Sequence, residues 1–468
     1  CELNMKNKKI AVIGLGYVGL PLASLCAVKD YQVVGFESNQ KVVNILANGK
    51  SHIVDKTVED LLDKANKSGN FYPTADTEKL VDCSVYLICV PTPVNSNNDP
   101  DLKPLISALD VIAPYINDND LIVVESTVFP GTCDDIVLPY LEAKTGKKVG
   151  VDFQLAHCPE RVNPGDDFWT TENIPRVVGA TTQIGVKAAA DLYVSILGGE
   201  LFDVRDIRKS LRPKIAINDS KSGYEIAQTP LGSVTMMHSI RDAEAVKAME
   251  NTVRDVNIAF VNELAKISDV LNLDVVDVID GMSTKPFGKG PFFPGAGVGG
   301  HCIAVDPEWL KDAAKKAGYM PEIIQLARNT NNGMPGYAVS LLQNALNEKA
   351  YPVKGTAITI LGVAYKKNVD DARESPYFEI KNILTQKGAN LRIYDSWIKS
   401  ENTAETLEQA LKGSKAIFIV TDHDDCINQL KNMDLGNIGI KVVVDGRNCL
   451  DSETLTAQGV LYCGIGRR

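Results

Sequence analysis

Lys9-Ile10-Ala11-Val12-Ile13-Gly14-Leu15-Gly16-Tyr17-Val18-Gly19 is the stretch on which the fold turns. An apolar run of strand length meets three glycines, and an apolar helical pattern continues to about Val28. In a strand–turn–helix unit, Gly14 permits the tight turn, Gly16 the close approach of a pyrophosphate, and Gly19 the packing of helix on strand. Unpaired N–H groups of the helix's first turn, from Tyr17 and Val18 onward, are donors for the phosphates. A second apolar run, Gln32 to Phe36, ends at Glu37. An acidic residue about 20 positions after the glycines binds a ribose 2′-hydroxyl and repels a 2′-phosphate, so NAD is expected rather than NADP. A glycine triplet alone fits many α/β turns. The strand before it and the acid after it narrow the reading.

Beyond this segment, strand-like runs at 85–90, 121–125 and 176–178 alternate with helical patterns. That rhythm predicts a parallel sheet covered on both faces. From 242 to 271 it gives way to one long helix, in which Val246, Met249, Val253, Val256, Phe260, Leu264 and Ile267 recur at three- and four-residue steps. Its span of about 45 Å suits a spine between domains or a face for a second copy. Shorter helices are expected at 307–317, where Asp306-Pro307 reads as an N-cap, and at 322–347. Strand–helix alternation resumes at 356–362, 391–394, 416–420 and 442–444. Residues 205–239, polar and mixed in pattern, read as an insertion. The expected class is α/β, with two Rossmann-like doubly wound domains joined by a long central helix and a helical middle domain. The boundaries follow as 5–204, 205–348 and 349–468.

A chain of 468 residues exceeds what one hydrophobic core organises. Its 44% hydrophobic and 23% charged residues are ordinary for a globular protein. The net charge of −10 argues against a nucleic-acid partner, because polyanions repel an acidic surface. It leaves room for a small anion held by a local cluster of Lys and Arg. The longest apolar runs have strand length, well short of a membrane span, and no signal sequence is recognisable, so a cytoplasmic protein without a membrane partner is expected. The ten cysteines show no C-x-x-C pair or zinc-like spacing, so no metal is expected and most are small core residues.

Cys302 stands apart. It ends Pro294-Gly295-Ala296-Gly297-Val298-Gly299-Gly300-His301-Cys302, where glycine at such density implies sharp bending or close approach to a ligand. A thiolate there can attack an aldehyde; the thiohemiacetal can give up a hydride, and hydrolysis of the thioester leaves a carboxylate. An inert buried Cys after a flexible loop is the alternative. Asp306, four residues on, is placed to orient the thiol or a water if the stretch is helical, and is equally a helix cap. Lys247 and Asn251 share one face of the long helix at i and i+4, a pairing that suits an oxyanion and equally a solvated surface. Pro91-Thr92 and Ser126-Thr127 lie at strand ends, where cofactor contacts and turn chemistry are both at home. Lys366, Arg373 and Arg447 follow strands of the last domain, which suits a diphosphate or a solvated basic edge.

Taken in order, these signatures resemble the UDP-glucose/GDP-mannose dehydrogenase family from Lys8 to Leu461: the glycine turn, Pro91-Thr92-Pro93, Glu125-Ser126-Thr127-Val128, Pro159-Glu160-Arg161, Lys247 with Asn251, Gly299-Gly300-His301-Cys302 with Asp306, and Lys366 with Arg373. The resemblance implies an NAD-dependent oxidation of a UDP-sugar at C6, consuming two NAD⁺ per product. It implies Cys302 as nucleophile, Lys247 and Asn251 at the oxyanion, Asp306 assisting water or thiol, and Thr127 and Glu160 positioning water or moving a proton. Substrate contacts would come from Glu160, Arg161, Lys247, Asn251, Gly299, Lys366, Arg373 and Arg447. Thr92, Ser126 and Thr127 would join the glycine turn at the cofactor, and 349–468 would bind the UDP-sugar. A homodimer or larger homo-oligomer through the central helix is implied too. Cys158-Pro159-Glu160-Arg161-Val162-Asn163-Pro164-Gly165 resembles the branch acting on UDP-N-acetylhexosamines, which serve surface polysaccharide, rather than on UDP-glucose. The rivals are a two-electron β-hydroxyacid-type dehydrogenase, which needs neither Cys302 nor a second α/β domain, and a non-catalytic nucleotide-binding protein.

Overall fold

The computed structural model describes residues 8–93, 100–162, 168–211, 230–284 and 292–467; the side chains of 208–211, His301, Cys302 and Ala304 lie outside the description. The chain divides into two units, Cys1–Glu250 and Asn251–Arg468.

In the first unit nine strands form one sheet. They are β1 Ile10–Ile13, β2 Val33–Phe36, β3 Phe71–Thr74, β4 Val85–Ile88, β5 Leu121–Val124, β6 Gln154–His157, β7 Arg176–Ala180, β8 Leu201–Asp203 and β9 Val234–Met236. Their spatial order is β3-β2-β1-β4-β5-β6-β7-β9-β8. The first six reproduce the order of a dinucleotide-binding sheet, with the reversal between β1 and β4 that opens a crevice at the strands' carboxyl ends. Register pairs Ile10 with both Val33 and Val85 in parallel, and only the β6–β7 pairing is antiparallel among the described strands. Because both faces are covered, strands such as β1 are apolar throughout: Ile10 and Val12 pack into one layer, Ala11 and Ile13 into the other. Residues 205–239, expected as an insertion, contribute β9 to this sheet, paired with β7 and β8. Three residues are too short a run to stand out from polar neighbours. Residues 212–229 lie outside the described residues.

The second unit holds a five-stranded parallel sheet, β10 Ala357–Leu361, β11 Asn390–Tyr394, β12 Ala416–Ile419, β13 Val442–Asp445 and β14 Leu461–Gly464, in the order β11-β10-β12-β13-β14. Two core layers again flank it, with Ala416 and Phe418 in one and Ile417 and Ile419 in the other.

The central helix runs from Ile240 to Leu271. Its apolar series is not the buried face: Met249, Val253, Phe260 and Ile267 are about half exposed in the chain. Apart from Ile240 and Val261, the buried stripe is polar or small and includes Glu244, Ala248, Asn251, Thr252, Asp255, Ala259, Asn262 and Ala265. Buried polar groups need partners, and these have them. In the first unit Glu244 accepts from the backbone N–H groups of Gly131 (2.6 Å) and Cys133 (2.7 Å). In the second, Asp255 pairs with Arg328 at 2.8 Å, and Asn262 donates to Asn331 at 2.9 Å while accepting from Gly295 N–H at 3.0 Å.

One helix start differs from expectation. The helix expected at 307 begins at His301, with Gly300 as its N-cap at φ +88° and Pro307 inside it. Proline removes one backbone hydrogen bond there, and the helix carries that loss near its N-terminus. Asp306 is therefore no cap. It lies one helical turn after Cys302 on the same helix. No described helix is long and apolar enough to cross a membrane.

Candidate functional site

The glycine turn is shaped by backbone crowding at two of its three glycines. A Cβ on Gly14 (φ +91°) would lie 2.9 Å from the Cys89 carbonyl oxygen, and a Cβ on Gly19 would collide with the Gly14 carbonyl oxygen. At Gly16 a Cβ would meet no protein atom within 4 Å. Nothing in the fold demands glycine there, so the open space above Gly16 is what a closely approaching pyrophosphate would use. Glu37 follows β2 and turns back over this loop, accepting from Leu15 N–H at 3.1 Å and from Asn39 N–H at 2.9 Å. Tyr17 is half exposed and Val18 half buried beside it. The residues present fit NAD. We expect Glu37→Ala to raise KM for NAD⁺ about tenfold, as for loss of one hydrogen bond to a charged group, and to narrow the preference over NADP⁺. Unchanged cofactor kinetics would remove Glu37 from the site.

At the ends of β4 and β5 the hydroxyls tie strands together. Ser126 donates to the carbonyl of Val90 at 2.7 Å, and Thr92 to that of Thr127 at 2.6 Å. Pro91 is exposed, and Thr127 is half buried.

Glu160 is bound at both oxygens. Oε1 accepts from Arg161 N–H (2.7 Å) and Val162 N–H (2.8 Å), and Oε2 forms an ion pair with Arg176 at 2.9 Å. The Arg176 side chain is fully buried, and its other terminal nitrogen meets Glu125 at 3.0 Å. Tyr193 hydroxyl bonds to the same Glu125. Burial outweighs the Arg176 attraction and pushes the Glu125 carboxyl up to about 7. Arg176 and Glu125 were not anticipated as site residues. The signal was a cation heading an otherwise apolar strand, Arg176-Val177-Val178. Arg161 turns to Glu250 on the central helix and donates to the Pro175 carbonyl at 2.9 Å. Lys247 is half buried one turn earlier on that helix.

In the second unit, Asn251 donates Nδ2 to Asp306 Oδ2 at 2.6 Å, both side chains being buried. Asn251→Ala withdraws that donor from a buried carboxylate. The expected cost is about 1–3 kcal/mol, read as an earlier denaturation midpoint of the transition that includes this unit; an unchanged midpoint would contradict it.

The glycine loop before Cys302 sits directly on the cation-bearing loop that follows β10. Gly300 N–H donates to the Arg373 carbonyl at 3.0 Å, and Ala296 N–H to the Gly446 carbonyl at 3.2 Å. A Cβ on Gly299 would lie 2.7 Å from Tyr365 Cβ. Only glycine fits so close an approach. Arg447 donates to the carbonyls of Val420 (2.9 Å) and Tyr365 (3.3 Å), and Arg373 is paired with Asp371 at 2.6 Å. Lys366 is half buried. Val298 and Arg373 border a cavity of about 760 Å³ that Arg328 and Asn332 also line.

Three models of one family match the chain in sequence. These are the NAD-binding domain of the UDP-glucose/GDP-mannose dehydrogenase family at residues 8–197, its central domain at 241–333, and its UDP-binding domain at 359–452. The chain is 34% identical over 463 residues to a UDP-N-acetyl-D-mannosamine dehydrogenase of Pyrococcus horikoshii, covering 98% of the chain and 99% of that relative. It is 37% identical over 393 residues to a UDP-N-acetyl-D-glucosamine 6-dehydrogenase of Salmonella typhi, covering 84% and 83%. A solved structure of a UDP-D-ManNAc dehydrogenase from Pyrococcus horikoshii superposes with a TM-score of 0.85 at 32% identity, covering 98% of the chain and 99% of that structure.

Proposed function

Because the chain belongs to the UDP-glucose/GDP-mannose dehydrogenase family, we propose that it oxidises the C6 hydroxymethyl group of a UDP-N-acetylhexosamine to the carboxylate, making an activated uronic acid for surface polysaccharide. The Cys158–Gly165 motif and the substrates named for the two relatives support the N-acetyl sugar. Gly14, Gly16, Gly19 and Glu37 would hold NAD⁺, and two NAD⁺ bound one after the other would supply the hydride acceptors for the two oxidations.

The observation that carries this reading is the 3.0 Å bond from Gly300 N–H to the Arg373 carbonyl. It joins the start of the Cys302 helix to the loop of Lys366 and Arg373, the cations for the UDP diphosphate. The first oxidation converts alcohol to aldehyde. Cys302 thiolate then adds to the aldehyde carbon, forming a C–S bond and, once the oxygen takes up a proton, a thiohemiacetal; loss of its C–H hydride together with its hydroxyl proton leaves a thioester. Water attacks the thioester carbon, the C–S bond breaks, and the thiolate is restored with the carboxylate released. Cys302 lies in the first turn of a 16-residue helix, where the helix dipole favours the thiolate. Lys247 and Asn251 stabilise the oxyanion formed at each addition, and Asp306, aligned by Asn251, orients the thiol or the hydrolytic water. Thr127 serves that water, and Glu160, with both oxygens bound, fixes the backbone that carries Arg161. Gly299 and Arg447 complete the substrate contacts. The half-exposed apolar series on the central helix supports a homodimer or larger homo-oligomer.

The test is NADH formation with UDP-glucose, UDP-N-acetylglucosamine, UDP-N-acetylgalactosamine and UDP-N-acetylmannosamine. Two NADH per carboxylate are expected, with an N-acetyl sugar preferred at least about tenfold in kcat/KM. One NADH per product would replace this reading with a two-electron dehydrogenase, and a preference for UDP-glucose would refute the N-acetyl assignment.

A further inference from the structure

Asp395 directly follows β11, the position that Glu37 holds after β2, yet it is fully buried. Its Oδ2 accepts from the N–H groups of Val363 (2.5 Å) and Ala364 (3.0 Å), and its Oδ1 from those of Trp397 (2.7 Å) and Ile398 (2.8 Å). Oδ2 also meets His423 Nε2 at 3.0 Å. Burial alone would raise this carboxyl, but the His423 ring and the backbone donors outweigh it and hold it well below the usual carboxylate range. An ionised carboxylate only accepts, so the proton between the two groups belongs to Nε2. Nδ1 is an acceptor, because the backbone N–H of Asn368 donates to it at 3.0 Å.

Asn368 is the point where the loop after β10 reverses. It adopts φ +58° and is held on its other side by Asp424, which accepts from its Nδ2 at 2.5 Å. Two residues before it stands Lys366, and five after it Arg373. The Trp397 ring stacks on His423, its centroid 6.3 Å away, so the imidazole cannot swing aside without losing that contact.

We propose that His423 is a positioning residue for substrate binding, its Nδ1 fixing the backbone of the loop that presents Lys366 and Arg373 to a nucleoside diphosphate. The inference rests on the reading that this loop holds the UDP moiety. His423 touches no substrate and takes no part in the redox steps.

Two isosteres separate the ring nitrogens in the full-length protein. Glutamine mimics Nε2, keeping the contact with Asp395 and losing the acceptor for Asn368; asparagine mimics Nδ1 and keeps that acceptor. With UDP as the probe in calorimetry at fixed pH, His423→Gln is expected to raise Kd about tenfold, the scale of one lost hydrogen bond. His423→Asn should restore most of the affinity, and kcat at saturating UDP-sugar should stay within about twofold in the Gln variant. A shared fall in Tm registers only the lost ring packing. Equal UDP affinity in the two variants, whether weakened or intact, would overturn the proposal. Lys366→Ala is the control. If it leaves UDP binding unchanged, the loop is not the UDP site and the underlying reading fails; if it weakens binding while His423→Gln does not, only the positioning role fails.

Discussion

Cys302→Ser is expected to abolish carboxylate formation, by at least about a thousandfold, while leaving NAD⁺ and UDP binding intact. The reason is chemical. At neutral pH a thiol is partly thiolate and strongly nucleophilic, whereas a serine hydroxyl without an adjacent base is neither. Without a thiohemiacetal the second hydride has no activated carbon to leave. NADH per substrate consumed should fall from two to one or below, with aldehyde trappable by hydroxylamine. Mass spectrometry of the quenched wild-type enzyme should show a thioester adduct on the peptide containing Cys302, absent from the variant. Carboxylate output within tenfold of wild type would end the covalent mechanism, and with it the reason for a cysteine at the start of this helix.

Arg176→Met is expected to destabilise the first unit strongly. Arg176 is fully buried between Glu125 and Glu160, at 3.0 and 2.9 Å. Removing it leaves two carboxylates facing each other in the interior, and breaking a buried ion pair from one side costs about 3–5 kcal/mol. For a unit of this size that corresponds to a fall of about 6–20 °C in Tm. The effect has a pH signature. Glu125 already has its carboxyl raised by burial to about 7, so the folded state binds more protons than the unfolded chain between its ordinary value and that point. Stability from this carboxyl therefore falls as pH rises through that window. Loss of Arg176 raises it further, so the deficit should be larger at pH 8 than at pH 5.5. A Tm within 2 °C of wild type at pH 8 would show that the network carries no such weight.

Legibility followed the range of the interactions. The glycine turn, Glu37 and the alternating strands are local, each element announcing itself within a few residues, and the expected α/β architecture with an NAD-binding first half stands. The sequence puts a helix start at 307, six residues after the helix begins at His301, because Asp306-Pro307 carries a strong local start signal that Gly300, at φ +88°, pre-empts. The strand Val234–Met236 is not legible in the sequence, because its three residues acquire strand character only from β7 and β8 beside it.

What the residues determined unaided was therefore the class of sheet, the cofactor turn and the unusual cysteine, since each depends on backbone sterics and chemistry within one short segment. Only the folded chain decided which face of the central helix goes inside. The apolar series of Met249, Val253, Phe260 and Ile267 stays half exposed, while Glu244, Asn251, Asp255 and Asn262 are buried. A polar side chain can be buried when a partner waits for it, and those partners (Gly131 and Cys133, Asp306, Arg328, Asn331) lie about 55 to 113 positions away in sequence. Periodicity reports how a helix is patterned; it carries no information about what stands opposite.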